Sequence, residues 1–157
     1  MSTSGGIAGK GVKKVSHKLV FRAKDVAGFS PRGAEDSYVS RMLIDKESVG
    51  STALVMNHFT LRPGKRSEPG SHPDPYDEVY YVLRGRALLQ LGDPPEVFEL
   101  EPDTVAFIPS GTSHSLENIG TEDLELITLM PGQLREGVNT VYDERRRTWG
   151  TSFRLVN

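Results

Sequence analysis

From Ser51 onward the chain is cut into short apolar runs by clusters of turn residues at nearly even spacing, and this rhythm limits the folds open to it. The clusters read RPG, EPGSHPDPYD, RG, GDPP, EPD, PSGT, NIGTED and MPG. Between them lie STALVMNHFTL, EVYYVL, ALLQL, EVFEL, TVAFI, HSLEN and LELITLM, rich in residues that favour strands and each too short for a typical helix. Such punctuation predicts an all-β, antiparallel sandwich or barrel. Upstream, KLVFRAKDV and SYVSRMLI read as two further strands, separated by a loop containing Ser30, Pro31, Arg32 and Gly33. The best helix candidate is Tyr142 to Thr148, which carries no apolar stripe.

With 157 residues there is room for one core. The organisation expected is a polar, glycine-rich tail over 1–15, a barrel over 16–130 with its main part at 51–130, and a C-terminal extension over 131–157. That extension holds Trp149 and Phe153, apolar surface expected to pack on the barrel or across a dimer. The chain has no cysteine, so disulfides, thiolate ligands and a cysteine nucleophile are excluded, and metal chemistry falls to His, Asp and Glu. The tail has no apolar stretch of the signal-peptide kind, and no run is long enough to span a bilayer. The expectation is a cytoplasmic protein with no membrane partner. Nineteen basic residues against twenty-one acidic give a net charge of −2, too balanced for the positive field that captures nucleic acid. The Arg145, Arg146, Arg147 cluster is offset by Asp143 and Glu144.

Strand parity sorts STALVMNHFTL into two faces. Val55, Asn57, Phe59 and Leu61 share the face expected to point inward, while His58 faces out. Asn57 must then be hydrogen-bonded inside the protein or meet a ligand.

The strongest local pattern is PSGTSHSLEN, or P-x-G-x-x-H-x-x-x-N, in which a tight turn delivers His114 at the start of a strand. Upstream, in SHPDPYDEVYYVLRG, His72 precedes Glu78, and Glu78 precedes Gly85 by E-x(6)-G. Two imidazoles and a carboxylate offered from neighbouring strand ends suit Zn, Fe, Mn or Ni in the manner of a two-His-one-carboxylate triad. A lone histidine beside a turn is ordinarily a surface residue, and the chain has four of them. It is the convergence of patterns that singles out His72, Glu78 and His114.

These residues carry a resemblance to the cupin superfamily, whose two motifs are G-x(5)-H-x-H-x(3,4)-E-x(6)-G and G-x(5)-P-x-G-x(2)-H-x(3)-N. The second is matched through Pro109, Gly111, His114 and Asn118, with Asp103 in place of its leading glycine. The end of the first is matched through Glu78 and Gly85. Counting forward from Gly64 puts Gly70 and His72 at the two motif histidines; counting back from Glu78 puts His72 and Asp74 there. Either way one of the two histidines is missing.

The resemblance implies a single cupin (jelly-roll-like) antiparallel β-barrel, a divalent metal on His72, Glu78 and His114 with Asp74 as a possible fourth ligand, and a homodimer. By strand parity Tyr80 shares the Glu78 face, and these two are the expected catalytic residues; the expected substrate contacts are the inward Asn57, Tyr76 as a hydrogen-bond donor, and Gln90, which interrupts the apolar run ALLQL. The implied function is a metal-dependent enzyme acting on a small oxygenated molecule by dioxygenase, cyclase or isomerase chemistry. There is a fainter likeness to cupins of the polyketide-cyclase and sugar-phosphate-isomerase kinds. The alternative is a non-catalytic module that grips a small molecule, favoured by the missing histidine.

Overall fold

The computed structural model describes residues 19–31, 37–132 and 153–156. Its strands are β1 (Gly28–Pro31), β2 (Tyr38–Ile44), β3 (Leu54–Leu61), β4 (Glu78–Arg84), β5 (Ala87–Leu91), β6 (Glu96–Leu100), β7 (Val105–Ile108), β8 (His114–Asn118), β9 (Leu124–Pro131) and β10 (Phe153–Val156). One sheet runs β10-β1-β2-β3-β9-β4-β7 and the other β6-β5-β8, with antiparallel pairing throughout. The chain changes sheets at the β4–β5 turn, returns for β7, crosses again for β8 and comes back for β9, which slots between β3 and β4. This is a jelly-roll arrangement. Among the described residues the ladder does not close, so the expected barrel is an open β-sandwich. Among the same residues, no helix is long and apolar enough to cross a membrane.

The core forms where the two inner faces meet. Leu124 and Leu126 of β9, Leu61 of β3 and Val82 of β4 face Leu89, Leu100 and Leu116 of the small sheet, all of them buried. Strand β9 shows the strict alternation of buried and half-buried residues that a sheet with one covered face requires. Truncating a residue such as Leu126 to Ala removes packed volume that the two sheets cannot refill, at a cost of about 2–5 kcal/mol. A second buried cluster, Phe29, Met42, Val55 and Met130, lies around β1, β2, β3 and β9.

The first strand begins later than the sequence suggests. Leu19 and Val20 are exposed and Ala23–Asp25 forms a 3-10 turn, while β1 starts at Gly28 and runs through Ser30 and Pro31, which read as loop. Phe29 is the anchor, 2% exposed, and Gly28 is needed because a Cβ there would come within 2.6 Å of Val39 Cγ1. Pro31 is the last residue of the strand, opposite Phe153 of β10, and a strand end is a position where proline is tolerated. Strand β10 pairs with β1, placing the end of the C-terminal extension on the edge of the large sheet. The helix candidate at 142–148, Trp149 and the arginine cluster lie outside the described residues.

Candidate metal centre

Two chain segments build the site. In the first, β7 ends at Ile108 and the turn after it is closed by the Thr112 N–H donating to the Pro109 carbonyl at 3.1 Å. Gly111 sits in this turn at φ +77°, a left-handed conformation that side chains disfavour. The turn sets His114 as the first residue of β8. At the far end of β8, buried Asn118 donates through Nδ2 to the carbonyls of Leu61 and Glu122, both at 2.8 Å, and accepts from the Gly120 N–H at 2.9 Å. The motif asparagine thus ties β8 to β3 and to the following turn. Asp103, standing where the motif has glycine, keeps a positive φ of 67° and accepts a hydrogen bond from the Tyr81 hydroxyl, so the departure preserves the turn.

The second segment, residues 65–72, runs beside β8. Gly70 and His114 exchange backbone hydrogen bonds at 3.0 and 2.8 Å, Ser67 N–H donates to Leu116 at 2.8 Å, and Asn118 N–H to Lys65 at 2.9 Å. The His72 carbonyl accepts from the Gly111 N–H at 2.7 Å, clamping one segment to the other. The first motif ends at Gly85, whose φ is +86° and whose added Cβ would lie 2.8 Å from Leu124 Cα, so only glycine suits the β4–β5 turn.

These constraints bring His72 Nε2 to 3.0 Å and His114 Nε2 to 3.3 Å from one oxygen, Oε2 of Glu78, with a donor atom from each residue within 4.8 Å of the others. Glu78 is 4% exposed. Burial works against its charge, but the hydrogen bonds and positive charges of His114 and His72 outweigh it and hold the carboxyl below its ordinary range. Burial would likewise lower His114, yet its hydrogen bond to Glu78, its contact with the Thr112 carbonyl and the Glu78 charge raise it.

The donor set fits a divalent ion. His114 Nδ1 lies 2.9 Å from the Thr112 carbonyl, so it carries a proton, and whenever the ring is neutral its Nε2 lone pair is aimed at the carboxylate. Two lone pairs facing each other across about 3 Å call for a cation between them, either a proton or a metal. Nitrogen–nitrogen–oxygen donors around open space are the grouping that borderline divalent ions take.

A cavity of about 140 Å³ opens beside the three residues. Tyr80 forms part of its wall, its ring edge-on to the His114 ring at 6.1 Å between centroids. Asn57 also lines it; this buried amide accepts from Ser40 Oγ at 2.6 Å, which satisfies its carbonyl oxygen. His58 faces outward as parity predicts, with Nε2 3.2 Å from Glu125.

Three expected site residues are not brought together with these. Asp74 Oδ1 accepts from Ser110 Oγ at 3.2 Å, and Asp77 accepts from the Ser110 N–H at 2.9 Å, so the acids of this loop fasten it to the Pro109–Ser113 turn. Tyr76 is buried within the turn that its N–H closes on the Pro73 carbonyl and is not on the cavity wall. Gln90 alternates with the buried Leu89, so it lies on the outer face of the small sheet, where it accepts from Ser115 Oγ at 3.2 Å. The forward count of the first motif is the one the structure follows: Gly70, opposite His114, occupies the place of the missing histidine. Sequence reading missed Glu68 and Thr128, which also line the cavity. Glu68 lies in RSEPGSHPDP, whose turn composition gives no period, so its place on the cavity rim shows only once the course of the segment beside β8 is known.

Residues 57–130 match the family described as the cupin domain. These residues, a little under half of the chain, carry a cupin domain. The chain is 29% identical over 99 residues to an oxalate-binding protein of Thermotoga maritima, covering 63% of this chain and 79% of the relative. It is 31% identical over 81 residues to the tetracenomycin polyketide synthase protein TcmJ of Streptomyces glaucescens, spanning about half the length of each, 52%. Among solved structures, a predicted oxalate decarboxylase from Thermotoga maritima superposes with a TM-score of 0.61 at 25% identity, over 73% of this chain and 100% of that one.

Proposed function

We propose that this cupin is a metal-dependent enzyme that acts on a small oxygen-bearing molecule, with one divalent ion held by His72, Glu78 and His114. The observation that carries the reading is the convergence of three donors on a single point beside a cavity. The bound ion would supply Lewis acidity toward a carbonyl, enol or hydroxy-acid oxygen. The chain's own residues do the rest. The Thr112 carbonyl orients His114, the Glu78 carboxylate is kept ionised, and Tyr80 fixes the wall against which a ligand rests. The three donors leave coordination positions for a ligand, as catalytic sites require. The oxalate-binding and polyketide-synthase relatives agree with a small, oxygen-rich ligand while differing in its kind.

A second reading, a binding module without turnover, draws on Gly70, where a fourth donor would otherwise strengthen the hold on the ion. Elemental analysis of protein purified without chelator, beside His72→Ala and His114→Ala, tests the metal. The parent should hold about one ion per chain and each variant should lose more than the roughly 10–100-fold in affinity that follows from disturbing a ligand's neighbours. Metal-free parent protein, after supplementation with Fe, Mn, Zn and Ni, would sink the enzyme reading.

A further inference from the structure

We propose that the ligand of this centre is a chelating oxygen pair bearing a single negative charge on a compact apolar body about one ring in size; the inference rests on the metal reading above. Charge is the first argument. Glu78 is a buried carboxylate and the two histidines bind metal as neutral rings, so a divalent ion there would retain one net positive charge. A monoanion neutralises that charge, whereas a dianion leaves an uncompensated charge in a buried place.

Glu68 adds weight in the same direction. It is an exposed residue at the rim of the cavity and makes no ion pair or hydrogen bond among the described residues. A second carboxylate at the rim, even screened by solvent, repels a dianion more than a monoanion. No Lys or Arg is among the described residues lining the cavity.

Shape and polarity supply the rest. Phe59, Tyr80, Leu116 and Leu126 give the cavity an apolar wall, which favours carbon over further charged oxygen. Its 140 Å³ is close to the roughly 150 Å³ cavity that accepts benzene in another protein. A Cβ at Gly70 would meet nothing within 4 Å, so room is open beside His72 for a ligand's second oxygen.

Titration calorimetry on manganese-loaded protein tests this with two probes. Maltol offers a monoanionic oxygen chelate on one ring; oxalate offers a similar chelate as a dianion without an apolar body. Each affinity is divided by the same probe's affinity for aqueous manganese, which removes intrinsic chelation. The parent should favour maltol by about tenfold or more on this scale. Glu68→Gln should raise oxalate affinity several-fold and maltol affinity by less, giving a charge-dependent change in preference. Equal or greater relative affinity for oxalate in the parent, or an unchanged ratio in Glu68→Gln, overturns the proposal while leaving the metal centre intact. Failure to load manganese at all overturns both.

Discussion

The two segments that deliver histidines to the centre are built by different means. Residues 109–118 form a turn and strand whose geometry is set locally, by Gly111 at positive φ and by the three hydrogen bonds of Asn118. Residues 64–77 form no regular strand and are held from outside, through backbone bonds to β8 and through Asp74 and Asp77 on the Pro109–Ser113 turn. The first segment serves as the template for the second. A ligand position can therefore be lost from the second, as at Gly70, without disturbing the frame that aims His72.

The sharpest way to break this comparison is to remove the template's anchor. Asn118→Ala leaves the Leu61 and Glu122 carbonyls and the Gly120 N–H without this partner. It should cost about 2–3 kcal/mol of stability, read by urea denaturation, from lost bonds to buried groups. A change below about 0.5 kcal/mol would show that the frame does not depend on it.

Next in size is restoration of the missing ligand. Because a Cβ at Gly70 meets open space, Gly70→His should fold normally and tighten metal binding about tenfold or more in competition with a chelating dye. Unchanged affinity would mean that position 70 does not face the ion.

Proton competition sharpens the comparison from the side of the first segment. His114 must be neutral to ligate, and its pKa is raised above 6.5, so loss of metal on acidification should begin at higher pH than for an ordinary histidine. With Glu78 lowered and still ionised in that range, affinity should fall at least tenfold per pH unit below the His114 pKa, since His72 must also be neutral to ligate. Metal affinity measured at several pH values checks this, and a flat profile down to pH 5 would contradict it.

The smallest effect belongs to Asp74. As a fastener rather than a ligand, Asp74→Ala should change metal affinity less than about twofold while lowering the thermal midpoint by a few degrees, a loss of about 0.5–1.5 kcal/mol for one hydrogen bond. A hundredfold loss of metal would restore it to the ligand set.

Much of the site was visible in the chain itself. The P-x-G-x-x-H-x-x-x-N pattern points to His114 and Asn118 through a turn whose residues specify their own conformation, E-x(6)-G points to Glu78, and strand parity, which holds in β4, adds Tyr80 on the same face. Parity also placed Asn57 inward and His58 outward. Gln90 was misplaced because the polar interruption of ALLQL was read as a pocket residue, whereas β5 buries Leu89 and turns Gln90 away. Tyr76 and Asp74 lie in a proline-rich loop where no periodicity says which way a side chain points.

What the chain alone determined is the sandwich of antiparallel strands and the turn that sets His114 at the start of β8, because strand alternation and turn conformations are local properties of a few adjacent residues. What the tertiary structure decided is how residues 64–77 lie against β8 and the turn before it, and with it the absence of a donor at Gly70, the place of Glu68 at the cavity rim and the engagement of Asp74 with Ser110. Those are set by hydrogen bonds between residues about forty positions apart, which leave no period or composition signal in the segment they position.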